Sequence, residues 1–424
     1  MIDRLINYIK KHELLKDNLI LLLGNSFGAF FTFLFHFYMG RKLGPEDYGA
    51  LGAILALIYL FTIPLTTIQT SIAKFTSIFK SEKKYKEIHY LYKASTKKLL
   101  IFGIISMFIF LLLSNLIANY LHISLTPLLI LSLYIIFSFL LYINRGLLQG
   151  LQKFNKFSIN LIFEGLIKLI SGIILILVGF KLNGAIGAIV FALISAFLIS
   201  FYQLKNIIKY KIKKFDSNII YKYTIPVLIA LTMLTAFYSL DLLLVKHFFI
   251  DKRAGYYAAV SLLGKVVFFG SMPITQVMFP KVNELYHNKK KSKNMLYKSA
   301  LMILAFSLPV ILIYFLFSKF IIKTLYGELY LEASNLLGWF AVMMTLFSLI
   351  YLISFYNLAI NRKNFLYILG LFNILEIVLI YIFHDTLMQV VSILTVLMSI
   401  LAFIMFLKML LIKDGKIKYN NSGV

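Results

Sequence analysis

Five ionisable side chains fall inside long apolar runs of the sequence: Glu164, Lys168, Asp241, Lys265 and Glu376. A charge facing lipid costs roughly 3 kcal/mol or more, so each needs a partner, a bound ion or a wet cavity. Those are the requirements of a site that receives a charged cargo or carries a cation. Glu164 and Lys168 are spaced i,i+4 with the acid first, the favourable order for a pair on one helix face. That spacing suits a neutralised pair packed between helices, and equally a cavity-lining pair that meets a polar substrate. Lys265 has no acid three or four residues away on its own helix, and it lies about 18 Å along that helix at a rise of about 1.5 Å per residue. It reads either as one end of an interhelical bridge to Asp241 or as a cationic contact for an anionic headgroup. Asp241 and Glu376 have the chemistry to bind H⁺ or Na⁺, and Glu164 is a third coupling candidate. For Glu376, close to Asn373, a hydrogen-bonded structural role is the plainer reading.

Chemistry of the soluble kind is missing. Gly264-Lys265 looks like the end of a phosphate loop, but Ala259 stands where the first glycine belongs and Val266 follows the lysine. There is no HExxH, no histidine pair on one helix face and no serine elbow. The histidines are scattered, mostly at predicted helix ends. Cysteine is absent, so no disulfide, thiol nucleophile or cysteine metal site exists. No catalytic residue, metal or cofactor is expected, beyond coupling to H⁺ or Na⁺.

The elements that hold these charges are set by composition. The chain has 424 residues, of which 61% are hydrophobic and 14% charged. A soluble domain is nearer half apolar and a quarter charged, so the sequence describes an integral membrane protein. A bilayer core takes roughly 20 apolar residues per helix. Runs of that kind lie at 17–39, 47–72, 98–119, 124–148, 157–180, 184–204, 223–247, 254–280, 296–318, 331–359, 365–384 and 386–411. They are continuously apolar, which excludes the alternation of membrane strands. The expectation is an all-α protein of about twelve transmembrane helices. Residues 1–16 read as a basic cytoplasmic segment, not a cleavable signal, because the apolar run after them is too long.

Lysine and arginine divide sharply between alternate loops. One side carries clusters at Arg4–Lys16, Lys74–Lys98, Arg145–Lys156, Lys205–Lys222, Lys281–Lys298, Arg362–Lys363 and Lys408–Lys418. The other carries Arg41, Lys42, Lys181, Lys246, Lys252, Arg253, Lys319 and Lys323. The positive-inside rule makes the first side, with both termini, cytoplasmic. The net charge of +26 therefore orients the chain and touches anionic lipid heads. It does not signal nucleic acid. External connections are all short.

The second half repeats the first. Leu43-Gly44-Pro45-Glu46-Asp47-Tyr48-Gly49-Ala50 is a polar turn between two apolar runs, and Asp251-Lys252-Arg253-Ala254-Gly255-Tyr256-Tyr257-Ala258 does the same later. The run after each turn contains one proline, Pro64 or Pro273, which frees a carbonyl and kinks the helix. Both read as curvature, or as matched bends around a cavity. Gly24-x-x-x-Gly28 and Gly146-x-x-x-Gly150 permit close helix packing. Domains follow: 17–210 as one six-helix bundle, 211–222 as a basic linker, 223–411 as the second bundle and 412–424 as a cytoplasmic tail. The charges are not duplicated. Lys265 corresponds roughly to Tyr59 and Asp241 to Phe35, so an asymmetric site is expected inside a symmetric shell.

The turn Arg41–Gly49 resembles the first external loop of polysaccharide repeat-unit flippases, members of the multidrug/oligosaccharidyl-lipid/polysaccharide (MOP) exporter superfamily. Asp241-Leu242-Leu243-Leu244 with Ala254-Gly255-Tyr256-Tyr257 resembles that family's junction of spans seven and eight. Arg145-Gly146-Leu147-Leu148-Gln149-Gly150 with Lys153-Phe154 resembles its loop after span four. The resemblance covers nearly the whole chain. It implies a MATE-like fold, with two pseudo-symmetric six-helix bundles around a central cavity that opens alternately to each side. The implied cargo is an oligosaccharide on a polyprenyl phosphate or diphosphate, turned from the inner to the outer leaflet of the cytoplasmic membrane. Lys265 and Lys168 would meet the anionic head, with Lys74 at the entrance and Arg145 as a further contact. The implied setting is a monomer working beside glycosyltransferases and a polymerase or ligase. These deep cations are lysines where related flippases often use arginines, and lysine is the poorer bidentate phosphate clamp.

Two other functions compete. An ion-coupled multidrug exporter of the same superfamily should have an acidic, aromatic cavity without deep lysines. A membrane glycan polymerase or ligase should carry catalytic acids or arginines in sizeable external loops.

Overall fold

The computed structural model describes residues 13–205, 207, 212, 228–250, 252–287, 292–360 and 362–410. The expected segment before residue 13, the tail 412–424 and, apart from Ile212, the linker 211–222 lie outside the described residues. Twelve α-helices carry the described chain: α1 (Glu13–Ser81), α2 (Tyr85–Leu121), α3 (Leu125–Gly150), α4 (Phe154–Leu177), α5 (Lys181–Gln203), α6 (Leu240–Phe248), α7 (Lys252–His287), α8 (Lys293–Leu316), α9 (Ser318–Leu325), α10 (Ser334–Ala359), α11 (Phe365–Ile382) and α12 (Leu387–Leu410). Residues 228–236 are also helical, just before α6.

Eleven stretches are long and apolar enough to cross a membrane. One of them, Leu23–Ser81, is 59 residues long and leaves helical geometry at Gly44, with φ 74° and ψ 174°. It is two spans joined at an elbow, so the twelve expected crossings are present. Only glycine adopts that φ without penalty. Pro45 follows at once, where its missing N–H costs nothing at a helix start. The repeated turn in the second half is looser: Phe249, at the end of α6, has left helical geometry with φ −113° and ψ 88° before α7 begins.

The chain divides into two compact units, Met1–Thr232 and Met233–Val424. The division falls inside the seventh span, later than the basic linker expected at 211–222. The N-terminal unit is built on small residues that let helices approach. Gly24 and Gly28 of α1 face Ser158 and Leu161 of α4, and Gly146 and Gly150 of α3 face Gln69 and Ala73 of α1. At its lysine-rich end, Ile72, Phe75, Ile88, Leu91, Leu147, Leu151 and Phe157 form a closed apolar core. In the C-terminal unit α10 is the central helix, packed on α7, α8 and α12. It is lined by buried Leu337, Phe340, Met344 and Phe347.

Two findings differ from the sequence expectation and bear on the site. The seventh span is not continuous: Phe237, Tyr238 and Ser239 form a turn between its two helical parts. Their backbone bonds are short-range, Tyr238 N to Thr235 O at 3.2 Å and Ser239 N to Ala236 O at 3.1 Å. Helix α3 runs on to Gly150, so Arg145 lies inside the helix and is 5% exposed, not in a loop.

Candidate functional site

Among the described residues, each unit contains a buried polar cluster with ionisable side chains. In the C-terminal unit the cluster forms at the break in span seven. Breaking a helix there frees backbone groups and turns side chains out of the regular row, a device that membrane transporters use where a cavity or ion site is needed. Asp241 sits in the first turn of α6 and is fully buried. Its Oδ1 accepts from the Leu242 N–H at 2.8 Å, and its Oδ2 accepts from the Tyr257 hydroxyl of α7 at 2.8 Å. Two turns along α7, Lys265 is 2% exposed. Its ammonium lies 5.4 Å from the centre of the Tyr238 ring, in the broken segment. Asp241 and Lys265 each feel the other's charge.

Glu376 of α11 is also fully buried, and Asp241 acts on it through space. Neither of its carboxylate oxygens has a hydrogen-bond partner among the described residues. The Asn373 carbonyl oxygen and the Ser239 and Ser261 hydroxyl oxygens are in the same condition. The Asn373 amide N–H is spent on the Met233 and Leu369 carbonyls, at 3.1 and 2.8 Å. Buried carboxylates without donors are costly. Glu376 without donors and Asp241 with two, both fully buried and accompanied by unpartnered hydroxyl and amide oxygens in the same unit, form a set chemically suited to a proton or a small hard cation.

The aromatic surroundings are dense. Tyr238 packs on Phe268 at 5.7 Å and Phe347 at 5.6 Å, and Phe268 packs on Tyr351 at 5.2 Å. Pro273 lies one turn beyond this cluster in α7. Near it, Ser271 Oγ lies within hydrogen-bond distance of both the Phe268 carbonyl and Ser348 Oγ of α10, each at 2.9 Å.

In the N-terminal unit the expected Glu164–Lys168 pair is replaced by another. Glu164 of α4 is bonded to the Arg145 guanidinium of α3. Arg145 Nε donates to Asn160 Oδ1 at 2.9 Å, and the Asn160 amide donates to the Ala196 carbonyl of α5 at 2.7 Å. Arg145 is the better competitor because its planar fork can serve Glu164 and Asn160 together. Lys168 still feels the Glu164 charge. However, its ammonium makes no ion pair among the described residues and stands 5.8 Å from the Phe35 ring centre. The position that corresponds to Asp241 is thus an apolar ring facing a lysine. Lys74 is exposed near the lysine-rich end of α1, 6.0 Å from the Phe75 ring centre. Pro64 lies within α1, and Thr62, Thr66, Thr67 and Ser71 around it bond back to carbonyls of the preceding turn. Such back-bonding bends helices.

The structure therefore gathers Asp241, Lys265 and Glu376 in one cluster and Arg145, Glu164 and Lys168 in another. Sequence reasoning missed Tyr238, Tyr257 and Asn160. Tyr257 carried one signal, a phenol on the row of Ser261 and Lys265. Asn160 carried another, four residues before Glu164.

The polysaccharide biosynthesis protein family matches residues 38–335. A candidate O-antigen transporter of Shigella flexneri is 26% identical over 326 residues, covering 71% of this chain and 74% of that one. An inward-facing multidrug resistance MATE family transporter of the MOP superfamily superposes with a TM-score of 0.75 at 12% identity, covering 92% of this chain and 97% of that chain. The lipid II flippase MurJ, in an inward closed conformation, superposes with a TM-score of 0.68 at 18% identity, covering 91% and 87%. The fold is that of the MOP superfamily, and this chain belongs to the polysaccharide biosynthesis protein family.

Proposed function

We propose that this protein is a flippase of the cytoplasmic membrane. Its cargo is an oligosaccharide linked through a phosphate or diphosphate to a polyprenyl chain, moved from the inner to the outer leaflet by alternating access for surface glycan assembly. One observation carries this reading: a lysine, Lys265, is held almost wholly buried in a membrane span beside an aromatic cluster and a carboxylate. A cation in that setting is suited to an anionic head and works against a cationic drug. Lys168, without an ion pair among the described residues, adds a second cation in the N-terminal unit. Lys74 lies at the lysine-rich end, where an entrance contact belongs. The family match and the name of the Shigella flexneri relative favour a glycan cargo. Arg145, committed to Glu164 and Asn160, holds α3 to α4 and contributes to the cargo only through Lys168, whose partner it takes.

The same cluster supplies a basis for coupling. With Asp241, Glu376 and Lys265 all ionised, its net charge is negative. A proton or Na⁺ shared by Asp241 and Glu376 neutralises it and leaves Lys265 to the cargo phosphate. Cation and anionic head then favour each other's binding, and that coupling is reciprocal. Glu164 is a weaker coupling candidate because Arg145 already compensates it.

The test is reconstitution in proteoliposomes with a fluorescent lipid-linked oligosaccharide whose outer-leaflet fraction is quenched from outside. Protein-dependent movement of the lipid-linked glycan, with no movement of a cationic dye, is the expected result. Dye transport without glycan movement would favour the multidrug reading.

A further inference from the structure

Among the lysines that line one side of the membrane, three converge. Lys80 ends α1, Lys153 occupies the three-residue connection between α3 and α4, and Lys156 lies in the first turn of α4. Their places are fixed by the closed apolar core beneath, to which Phe75, Leu151 and Phe157 belong. The connection itself is tightly wound: Gln152 has a positive φ of 58°, and the Lys153 N–H bonds back to the Leu148 carbonyl at 2.9 Å. Lys80 Nζ donates to Gln152 Oε1 at 2.6 Å, which brings the end of α1 onto the connection. Lys156 Nζ reaches the Gln203 carbonyl at the end of α5, at 3.4 Å.

None of the three ammonium groups forms an ion pair among the described residues. In the neighbouring hairpin Glu82 bridges Lys84 at 2.6 Å, and buried Glu87 also acts on Lys84. Lysines that only orient a chain are free to spread apart in solvent. These three are held together by packed backbone and retain their mutual repulsion. Burial holds the Lys153 ammonium below the ordinary lysine value, and the charges of Lys156 and Lys80 lower it further.

We infer that Lys80, Lys153 and Lys156 form a binding site for a phosphate-type anion at the lysine-rich rim of the N-terminal unit. Lys80 is tied to the connection that carries Lys153, and Lys156 follows three residues later, so one packed corner offers three ammonium donors to a phosphomonoester or diphosphate, and a doubly charged anion relieves the repulsion among them. The bound phosphate comes either from a membrane lipid headgroup or from the polyprenyl phosphate of the cargo. The site stands independently of the flippase reading, because it is defined by binding and not by transport.

The test uses the full chain in phosphatidylcholine nanodiscs and follows the rate at which a soluble amine-acylating reagent labels each lysine, read by mass spectrometry. Three ligands are compared: pyrophosphate in solution, phosphatidic acid in the disc and polyprenyl diphosphate in the disc. Labelling of Lys153 is expected to slow about tenfold once pyrophosphate exceeds its Kd about tenfold, while exposed Lys97 is unaffected. That protection should vanish in the Lys80→Gln/Lys156→Gln double variant. Stronger protection by phosphatidic acid assigns the site to bulk lipid, and stronger protection by polyprenyl diphosphate assigns it to the cargo. Unchanged Lys153 labelling with all three ligands would overturn the inference. So would equal protection by chloride at matched ionic strength, or equal protection in the double variant.

Discussion

Arg145 of α3 is bonded to Glu164 of α4, inside a bundle of apolar helices and within reach of Lys168. The carboxylate could have been shared with Lys168, one turn along its own helix. Instead the guanidinium spans Glu164 and Asn160, ties α3 to α4 and leaves the Lys168 ammonium facing the Phe35 ring. One ion pair thus commits Arg145 to the structure and leaves Lys168 without an ion pair among the described residues, where the proposed cargo would meet it.

Removing one member of such a pair leaves the other charge buried and uncompensated, which costs about 3–5 kcal/mol. Arg145→Ala should therefore lower the unfolding temperature in detergent sharply. Replacing both partners, Arg145→Met with Glu164→Leu, should recover much of the loss. A double variant as unstable as the single one would refute this account of the pair.

In the C-terminal unit, Tyr257→Phe removes the hydroxyl that donates to Asp241. An acceptor left short of a buried donor costs about 1–3 kcal/mol. The variant should be modestly less stable and, under the proposed coupling, should change the dependence of transport on H⁺ or Na⁺, since a cation at Asp241 would then have one fewer competitor. Asp241→Asn should abolish that dependence. Wild-type cation dependence in both variants would remove Asp241 from coupling.

The small-residue contacts can be tested by adding one carbon. A methyl group at Gly150 would stand 2.5 Å from the Ala73 carbonyl oxygen, a backbone atom that cannot step aside. Gly150→Ala should destabilise the protein by about 1–3 kcal/mol through overpacking. Gly44→Ala meets nothing within 4 Å but sits at φ 74° and ψ 174°, a region left essentially to glycine, so its cost of about 1–3 kcal/mol comes from backbone strain alone. Thermal unfolding of the two variants measures both effects.

Lys153 gives a pH signature outside the membrane. Its pKa is lowered from 10.5 in the folded chain by burial and by Lys156 and Lys80. A base with a depressed folded pKa destabilises the fold while charged, and that cost is relieved as pH rises from the folded value towards the unfolded one. Lys153 labelling should reach its plateau at a lower pH in the wild type than in the Lys80→Gln/Lys156→Gln double variant. Lys153→Gln should flatten the corresponding rise in stability on the alkaline side. Identical Lys153 labelling profiles in the two proteins would contradict the clustering.

Much of this architecture was legible in the sequence. The twelve apolar runs, the split of lysines between loops, the repeated turn and the positions of Glu164, Lys168, Asp241, Lys265 and Glu376 all follow from hydropathy and charge. The partners were less legible. Spacing on one helix suggested Glu164–Lys168, but the choice was made across helices, where the guanidinium of Arg145 competes and no periodicity records it. The break at Phe237–Ser239 was hidden because hydropathy stays high through Phe-Tyr-Ser-Leu. A turn that keeps its residues apolar looks like a continuous span. The Tyr257–Asp241 bond required the fold that brings α6 against α7.

The central claim is that Lys265 receives the anionic head of a lipid-linked glycan, and flipping by Lys265 variants in proteoliposomes tests it most directly. Lys265→Ala should still insert in the membrane yet lose nearly all movement of the lipid-linked oligosaccharide, while Lys265→Arg, which keeps the charge, should retain a measurable fraction. Undiminished flipping by Lys265→Ala would contradict the account.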